Sequence, residues 1–371
     1  MQVMTTVKVL VKSPRAPVVA DNGSACCSTI QYNFRMLPTM PDSSGPGRQT
    51  TLHLLGRFDN PHTGAERSLP DLVASLRGRR ETMLWSDVPV HPHFAAMGVR
   101  ALRPQEGDFP RGGTLLIGGV HVELGGWLEQ ARLERVLLRY NLPNHQRLFE
   151  SITRIRDATG IEPELVFVSK AMQLSVGLPG RVEPSLIRIE RFLGARTARP
   201  TGTPVTVGRV SRDVIGKHDP QDVAVYRNLA ARGVRVRVMG GTCLVPWLAS
   251  VPGVELLAAG TEDVVDFLCS LDIFFYRTGS FIEPYGRVVL EAMAAALPVV
   301  VAANGGFAEQ ITSAVDGYLV QTQEQALQVL GGLVGNPELR LQIGQAARNT
   351  AMSLHGAQAV AMLVENYLER A

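Results

Sequence analysis

The stretch GSFIEPYGRVVLEAMAAALPVVVAANGG, residues 279–306, joins a loop, a helix and a strand. Glu283 stands directly before Pro284, which predicts the first turn of a helix because its missing N–H costs nothing there. The free N–H groups of that turn and the positive end of the helix dipole favour an anion. A strand follows at Val299–Ala302. The stretch therefore predicts an α/β fold with a phosphate site beside a carboxylate.

A second carboxylate, Glu291, lies in the same helix among apolar residues. A helix that is apolar nearly all round is usually buried, and a buried carboxylate needs a partner. Eight residues span about 12 Å of helix, roughly the distance from a sugar past a diphosphate to a ribose. The alternative is that Glu291 lies on a narrow solvent-exposed stripe and that Glu283 is an ordinary loop acid.

Glu283, seven residues and then Glu291, within EPYGRVVLEAMAAALPVV, resemble the signature of retaining glycosyltransferases of family four, which have the GT-B fold. The resemblance covers residues 205–320, whereas the N-terminal half shares only the alternation of strand and helix. It implies two Rossmann-like, doubly wound α/β domains facing a cleft. It also implies transfer of a sugar, with retention of configuration, from a nucleotide diphosphate sugar to a hydroxyl acceptor.

The resemblance implies a role for each residue of the signature. Glu283 would contact the transferred sugar, and Glu291 would hold the ribose of the nucleotide. The backbone amides of Tyr285, Gly286 and Arg287 would bind the sugar and the diphosphate.

The loop GRVSRDVIGKHDP, residues 208–220, supplies three cations, Arg209, Arg212 and Lys217. Positive charge there would offset the negative charge that develops on a departing diphosphate. The residues that match the family are Arg209 and Lys217, which we place with Glu283 as catalytic residues. Because this loop is longer than the common version, Arg212 could replace Arg209, and all three could instead be surface cations.

Three further residues are weaker candidates. Gly240 ends a strand in the manner of a nucleotide-binding turn. Asn141 stands where the family often has a histidine near the sugar hydroxyls, although it could be an ordinary turn residue. His121 lies near a predicted strand end, where it could meet the acceptor or play a structural role.

The alternation of apolar strands and helices predicts a mostly parallel sheet in each half. We expect an N-terminal acceptor-side domain at residues 1–200 and a nucleotide-sugar-binding domain at 201–371, with the final helix packing back on the N-terminal domain. The predicted strands are Val7–Val11, Thr51–Leu55, Thr82–Trp85, Thr114–Ile117, Val136–Leu138, Leu165–Val168, Pro204–Gly208, Val234–Met239, Val254–Leu257, Ile273–Tyr276 and Val299–Ala302. The predicted helices are Leu69–Leu76, Trp127–Glu134, Gln146–Ala158, Gln221–Ala231, Val264–Ser270 and Pro284–Leu297, followed by a largely helical segment at 324–371.

Composition limits the possible partners. A chain of 371 residues with a net charge of +3 carries its basic excess in residues 1–200, which could attract an anionic membrane surface. We expect no nucleic acid, because no recognised binding motif accompanies the charge.

Neither an Asp-x-Asp pair nor a histidine cluster indicates a metal, so we expect no cofactor. The four cysteines, the absence of a long apolar run and the N-terminal pattern favour a reduced, cytoplasmic protein, at most peripheral to a membrane. The cysteines are Cys26, Cys27, Cys243 and Cys269.

Two other functions remain open on the sequence alone. The chain could be a non-catalytic GT-B-like nucleotide-binding or scaffold subunit, or it could be a nucleotide-sugar epimerase. The glycine-rich loop that the family carries after its first strand is expected near Ser13–Ser24, where Gly23 is the only glycine. That departure leaves the N-terminal side of the donor site undefined.

Overall fold

The computed structural model describes residues 50–61, 63–194 and 202–368, and all of these belong to one compact unit, Gly47–Ala371. The predicted strand Val7–Val11, the segment Ser13–Ser24 and the pair Cys26-Cys27 lie outside the described residues. The predicted boundary between residues 200 and 201 falls in the undescribed segment 195–201, so it stays a prediction.

Seven parallel strands form the sheet of the first half. They are β1 (Leu52–Gly56), β2 (Thr82–Ser86), β3 (Arg100–Ala101), β4 (Thr114–Ile117), β5 (Arg135–Tyr140), β6 (Glu164–Phe167) and β7 (Arg181–Val182). Their order across the sheet is β3-β2-β1-β4-β5-β6-β7. Leu54, Leu116 and Leu137 on the central strands are fully buried, as the continuous apolar strands of parallel sheets usually are.

Six parallel strands form the sheet of the second half. They are β8 (Thr206–Val210), β9 (Arg235–Met239), β10 (Val254–Leu257), β11 (Ile273–Tyr276), β12 (Val299–Ala302) and β13 (Tyr318–Val320). Their order is β10-β9-β8-β11-β12-β13. In register, Phe274 on β11 pairs with Val299 on β12 and with Gly208 on β8. The two sheets together confirm the predicted fold class of two Rossmann-like α/β halves.

The helices connect these strands and form most of the C-terminal region. Local capping explains several of their ends: Asn144 caps the third helix through Arg147 N, and Asn336 caps the tenth through Leu339 N, as asparagine commonly does. The helices are α1 (Gly64–Leu76), α2 (Pro92–Ala95), α3 (His145–Thr159), α4 (Lys170–Val176), α5 (Asp222–Ala231), α6 (Val245–Leu248), α7 (Val264–Cys269), α8 (Arg287–Ala294), α9 (Gln323–Gly335), α10 (Pro337–His355) and α11 (Ala357–Glu365). None of these described helices is long and apolar enough to cross a lipid bilayer.

The chain order reverses between β1 and β4 in the first sheet and between β8 and β11 in the second. In open parallel sheets, ligands bind outside the carboxyl ends of the strands at such a switch point. A ligand-binding site is therefore expected among the residues that follow β1, β4, β8 and β11.

The end of the chain returns to the first half. Helix α10 packs against α8, whereas α11 packs against α1. Val364 and Tyr367 are buried in the same apolar cluster as Leu52 and Leu54 of β1. The last described helix is thus part of the core beneath the first sheet.

Two predicted helices differ from the structure. Trp127–Glu134 contains only a 3-10 turn, Leu128–Gln130, and the positive φ of 48° at Arg132 is incompatible with a continuing α-helix. The helix predicted at Pro284–Leu297 begins later, at Arg287, after Gly286 with a φ of 79°. Pro284 consequently lies in the preceding loop and not in the first turn. The three short strands β3, β7 and β13 were not predicted.

Candidate active site

A cleft of about 820 Å³ lies between the carboxyl ends of the two sheets, within the size range of pockets for small molecules. Its walls come from both halves. Residues that follow β1, β4 and β5 line one wall, and residues that follow β8 and β11, with the start of α8, line the other.

Glu283, Lys217 and Tyr276 form a hydrogen-bonded group on the second wall. The ammonium Nζ of Lys217 donates to Glu283 Oε2 at 2.6 Å, and the Tyr276 hydroxyl donates to the same oxygen at 2.9 Å. Lys217 also lies 3.5 Å from the centroid of the Phe281 ring, a favourable position for a cation. A carboxylate, a cation and a phenol are thus held together facing the cleft.

Two loops position this group by binding each other. The amide of Phe281 donates to Gly216 O at 3.1 Å, which joins the loop after β11 to the loop after β8. A Cβ on Gly279 would lie 2.5 Å from His218 O, so this contact requires a glycine. Lys217 and Glu283, both predicted as catalytic residues, therefore meet because the two loops are in direct contact.

Burial changes the protonation equilibria of the group. Burial lowers the pKa of Lys217, and the Glu283 carboxylate opposes that shift. Burial raises the pKa of Tyr276 well above its ordinary value, and the charge of Glu283 adds to the effect. Tyr276 is therefore a neutral hydrogen-bond donor near pH 7.

Of the three cations predicted in the loop after β8, Lys217 and Arg212 line the cleft. Arg209 does not expose its side chain. Its guanidinium is fully buried, donates to Arg277 O at 2.7 Å and Lys217 O at 2.6 Å, and stacks on the Tyr276 ring at 4.3 Å. This geometry makes Arg209 a support for the loops and leaves Arg212 as the arginine available to a ligand.

The start of α8 carries the predicted amide site. The positive φ of Gly286 brings the chain against Phe307, where a Cβ would lie 2.5 Å from a ring carbon. Gly306 N donates to Glu283 O at 2.8 Å, and a Cβ on Gly306 would lie 1.9 Å from Pro284 O. The first N–H groups of a helix have no partner within it. The glycines therefore fix the loop that presents these N–H groups to the cleft.

The side chains of Tyr285 and Arg287 face away from solvent. Tyr285 is hydrogen-bonded to His355 Nε2 at 2.7 Å, and burial raises the pKa of its hydroxyl. Arg287 donates to Leu186 O and, at 2.9 Å, to Asp71 Oδ2 on α1. These contacts join the start of α8 to α10 and to the first half.

Glu291 is 1% exposed, and yet it lines the cleft. Its Oε1 lies 3.2 Å from Arg67 Nη2 and 3.9 Å from Arg287 Nη2. The alternative in which Glu291 lies on a solvent-exposed stripe is therefore wrong. The carboxylate has cationic partners, as a buried charge requires.

The first wall contains Asn141 and His121. Asn141 Nδ2 donates to Gly118 O at 2.7 Å, and His121 Nε2 lies 3.4 Å from Glu66 Oε1. The structure thus brings both predicted residues to the cleft, close to a carboxylate that the sequence did not suggest.

Gly240 is absent from the described lining of the cleft. It has a φ of 79°, and a Cβ there would lie 1.9 Å from Ser211 O. Its carbonyl oxygen is 3.0 Å from His218 Nε2. These contacts give Gly240 a role in packing the loops after β8 and β9.

Sequence reasoning missed Glu66 and Arg67, which lie in the first turns of α1. The expected helix started at Leu69, where the apolar periodicity begins. The available signal was Thr63, which is the N-cap, followed three residues later by Glu66, a common pattern for a helix start. The loop that follows β1 ends where α1 begins, at Gly64. The glycine-rich loop expected near Ser13–Ser24 stays a prediction.

Among the described residues, no group of three or more histidine, cysteine, aspartate or glutamate side chains could hold a metal ion. Cys243 is not part of a disulfide.

The comparison with protein families finds one matching region. Residues 254–350 match the family model described as glycosyl transferases group 1. The matched region runs from β10 into α10 and includes Glu283 and Glu291, whereas Lys217 lies before it.

Curated relatives match over a similar length. Spore coat protein SA of Bacillus subtilis (strain 168) is 32% identical over 97 residues, which are 25% of this chain and 26% of that protein. D-inositol 3-phosphate glycosyltransferase of Streptomyces scabiei (strain 87.22) is 31% identical over 110 residues, which are 29% of this chain and 24% of that protein. The chain thus spans about a quarter of the length of the curated relatives that it matches.

Solved structures match over most of the chain. Anabaena HepE in complex with UDP and glucose has a TM-score of 0.67 at 15% identity, over 85% of this chain and 98% of that one. Sucrose-phosphate synthase from Thermosynechococcus elongatus has a TM-score of 0.65 at 16% identity, over 86% and 98%. At such identities the likeness concerns the fold, and the fold of this chain is that of the GT-B glycosyltransferases.

Proposed function

We propose that the protein is a retaining glycosyltransferase that moves a sugar from a nucleotide diphosphate sugar to a hydroxyl acceptor. One observation carries the proposal: Lys217 and Glu283 are paired at 2.6 Å in the cleft, next to the start of α8. A cation for the leaving diphosphate and a carboxylate for the sugar are thereby adjacent. The match of residues 254–350 to a glycosyltransferase family model supports the same activity.

Lys217 and Arg212 would bind the diphosphate and stabilise it as the leaving group. Fixed positive charge acts most strongly where negative charge develops in the transition state. The amides of Tyr285, Gly286 and Arg287 would complete this anion site. These groups would do the work of a metal ion, so we propose a metal-independent reaction that needs no cofactor.

Glu283 would accept hydrogen bonds from the hydroxyls of the transferred sugar and stabilise positive charge at its anomeric carbon. Glu291 would accept hydrogen bonds from the ribose hydroxyls. Asn141 would contact the sugar from the opposite wall. Since Glu291 is buried and paired with Arg67, its carboxylate would be oriented before the nucleotide arrives.

Retention would follow from attack on the same face of the sugar that the diphosphate leaves, as the resemblance to family four implies. The bond between the anomeric carbon and the phosphate oxygen breaks, and a bond to the acceptor oxygen forms. The proton of the acceptor hydroxyl passes to the departing diphosphate.

A uridine diphosphate sugar is the first donor to test, because HepE is described in complex with UDP-glucose. The acceptor is a saccharide, a lipid-linked saccharide or a small hydroxyl compound. A polysaccharide or glycolipid on a membrane surface would fit the basic excess of residues 1–200. We propose a cytoplasmic location for this work.

Thermal unfolding with uridine, guanosine, adenosine and thymidine diphosphates and their sugars tests the proposal. A ligand that binds the folded protein raises the melting temperature by mass action, and we expect a rise with one nucleotide that Glu291→Ala abolishes. NMR of the product, with its anomeric configuration equal to that of the donor, would establish retention. Absence of any rise at millimolar ligand would contradict the proposal. Nucleotide binding without transfer would favour a scaffold subunit, and conversion of the donor without an acceptor would favour an epimerase.

A further inference from the structure

Glu66, His121 and Asn141 form a polar group at the switch point of the first sheet. Glu66 lies in the first turn of α1, after β1. His121 follows β4, and Asn141 follows β5 directly. All three line the cleft on the wall opposite Glu283.

The group contains two buried hydrogen-bond acceptors without a donor. Glu66 is 6% exposed; its Oε1 is 3.4 Å from His121 Nε2, but its Oε2 accepts no hydrogen bond from the described residues. Asn141 donates through Nδ2, whereas its Oδ1 is likewise buried and receives no bond from the part of the chain described. Leaving a buried polar atom unsatisfied costs free energy, so such atoms usually have a partner.

Gly119 leaves room for His121 and Asn141 in this arrangement. A Cβ at that position would lie 2.6 Å from His121 Cε1 and 2.7 Å from Asn141 Oδ1. The missing side chain at Gly119 leaves space for the imidazole of His121 and the amide of Asn141. Close packing around Gly119 therefore places the Asn141 oxygen and the imidazole of His121.

Helix α1 also connects the group to the proposed donor site. A Cβ on Gly64 would lie 3.0 Å from Arg287 Cδ, and Arg67 forms an ion pair with Glu291 at 3.2 Å. Glu66 stands between these two contacts in the same turn. Glu66 therefore belongs to a helical turn that contacts the residues that we assign to the nucleotide.

We propose that Glu66, with Asn141 and His121, binds a substrate hydroxyl, which donates a hydrogen bond to Glu66 Oε2. Both unsatisfied atoms are acceptors, and therefore the group that fits them is a donor such as a sugar or polyol hydroxyl. This inference rests on the proposed function, in which both the transferred sugar and the acceptor carry hydroxyl groups. Glu66 is then a substrate-binding residue that neither the family signature nor its spacing indicates.

Kinetics of Glu66→Gln test the inference, with Glu123→Gln as the matched control. Glu123 is an exposed acid whose side chain pairs with Arg147 at 2.9 Å. Loss of a hydrogen bond to a charged group lowers binding about tenfold to a hundredfold. We expect Glu66→Gln to raise KM for one substrate by that factor, with an unchanged melting temperature and unchanged affinity for the nucleoside diphosphate. If Glu66→Gln does not fold, Asn141→Ala tests the same site, because it should raise the same KM.

Hydrolysis of the nucleotide sugar without an acceptor identifies the source of the hydroxyl. Slower hydrolysis in Glu66→Gln assigns the hydroxyl to the transferred sugar, whereas unchanged hydrolysis with a raised acceptor KM assigns it to the acceptor. Transfer and hydrolysis equal to those of Glu123→Gln would overturn the inference.

Failure of the proposed function gives a different result. If the wild-type protein binds no nucleotide and transfers no sugar, saturation-transfer NMR with free glucose, galactose and mannose tests whether the hydroxyl site nevertheless binds a sugar. A signal in wild type that Glu66→Gln removes would support the hydroxyl site alone. The lack of a signal in wild type would overturn both inferences.

Discussion

The switch points of the two sheets have the same strand order but differ in how their polar side chains are satisfied. In the second half, Lys217, Glu283 and Tyr276 bond to one another at 2.6 and 2.9 Å. In the first half, Glu66 and Asn141 each keep a buried oxygen without a donor. After the switch-point strands, one wall thus carries a preassembled charged group, and the other carries acceptors that lack donors. On α8, Glu291 Oε1 also accepts no hydrogen bond from the described residues, but it lies 3.2 Å from the guanidinium of Arg67. This difference suits a cleft in which one side stabilises charge and the other binds hydroxyls.

The largest expected effect concerns the preassembled wall. Lys217→Ala removes the cation that we assign to the leaving diphosphate, and loss of one such group typically costs about a hundredfold to a thousandfold in rate. We expect that reduction in kcat for transfer, measured as release of nucleoside diphosphate. Lys170→Ala, which removes an exposed lysine, should leave the rate unchanged. A rate within threefold of wild type in Lys217→Ala would contradict the assignment.

The second effect tests whether Gly240 is required for packing of the loops, as opposed to ligand binding. Gly240→Ala places a Cβ 1.9 Å from Ser211 O at a φ of 79°. We expect a loss of roughly 3 kcal/mol in the free energy of unfolding, because overpacking adds to left-handed strain. Gly233→Ala is the matched control, since its φ is 77° and nothing lies within 4 Å of a Cβ. It should cost only about 1 kcal/mol. Equal losses in urea unfolding would show that the close contact with Ser211 carries no energy.

The third effect tests whether the Glu291 carboxylate binds the ribose of the nucleotide. Replacing it by glutamine weakens hydrogen bonds to a charged acceptor, worth about 2 kcal/mol, so we expect roughly thirtyfold weaker binding of the nucleoside diphosphate by calorimetry. The 2′,3′-dideoxy nucleotide provides the control, because it lacks the ribose hydroxyls. It should bind wild type and Glu291→Gln alike. A thirtyfold loss for both nucleotides would place the effect on the ion pair with Arg67 instead.

The fold and the second wall could be predicted because their determinants are local. Apolar strands such as Val299–Ala302 match the observed β12. Glu283 and Glu291 lie in one short segment whose loop, helix and strand are consecutive. Their spacing along the chain follows from that segment, although the helix starts at Arg287 because Gly286 adopts a left-handed conformation. Their partners Lys217 and Arg67 come from other elements.

Arg209 illustrates what the sequence could not decide. The strand was expected to end at Gly208, which would place Arg209 in the loop that faces the cleft. Strand β8 instead continues to Val210, and its pleat directs the Arg209 guanidinium beneath the loops to Arg277 O and Lys217 O. The extension of β8 by two residues therefore turns Arg209 from an expected ligand-binding residue into a supporting one.

His121 and Asn141 were predicted singly, but their grouping with Glu66 on the first wall could not be predicted because the three residues come from separate elements. Glu66, His121 and Asn141 follow β1, β4 and β5, and no fixed spacing links them. Their proximity depends on the order in which the strands pair. The apolar periodicity of α1 begins only at Leu69, so periodicity alone placed the start of this helix five residues too late.

The smallest expected effect concerns His355, which joins α10 to the loop of the preassembled wall through Tyr285 at 2.7 Å. Burial, with a smaller contribution from Arg287, lowers the pKa of His355 from 6.5 to about 3. Between these values the unfolded chain binds a proton that the folded protein does not, so stability falls as pH falls below 6.5. This histidine should contribute about 2 kcal/mol to the loss between pH 7.5 and 5. Urea unfolding of His355→Gln should show a pH dependence smaller by that amount, whereas His93→Gln, which removes an exposed histidine, should behave as wild type. Identical pH dependence in all three proteins would mean that His355 can be protonated in the folded state, and the contact with Tyr285 would then not be a fixed link between α10 and the site.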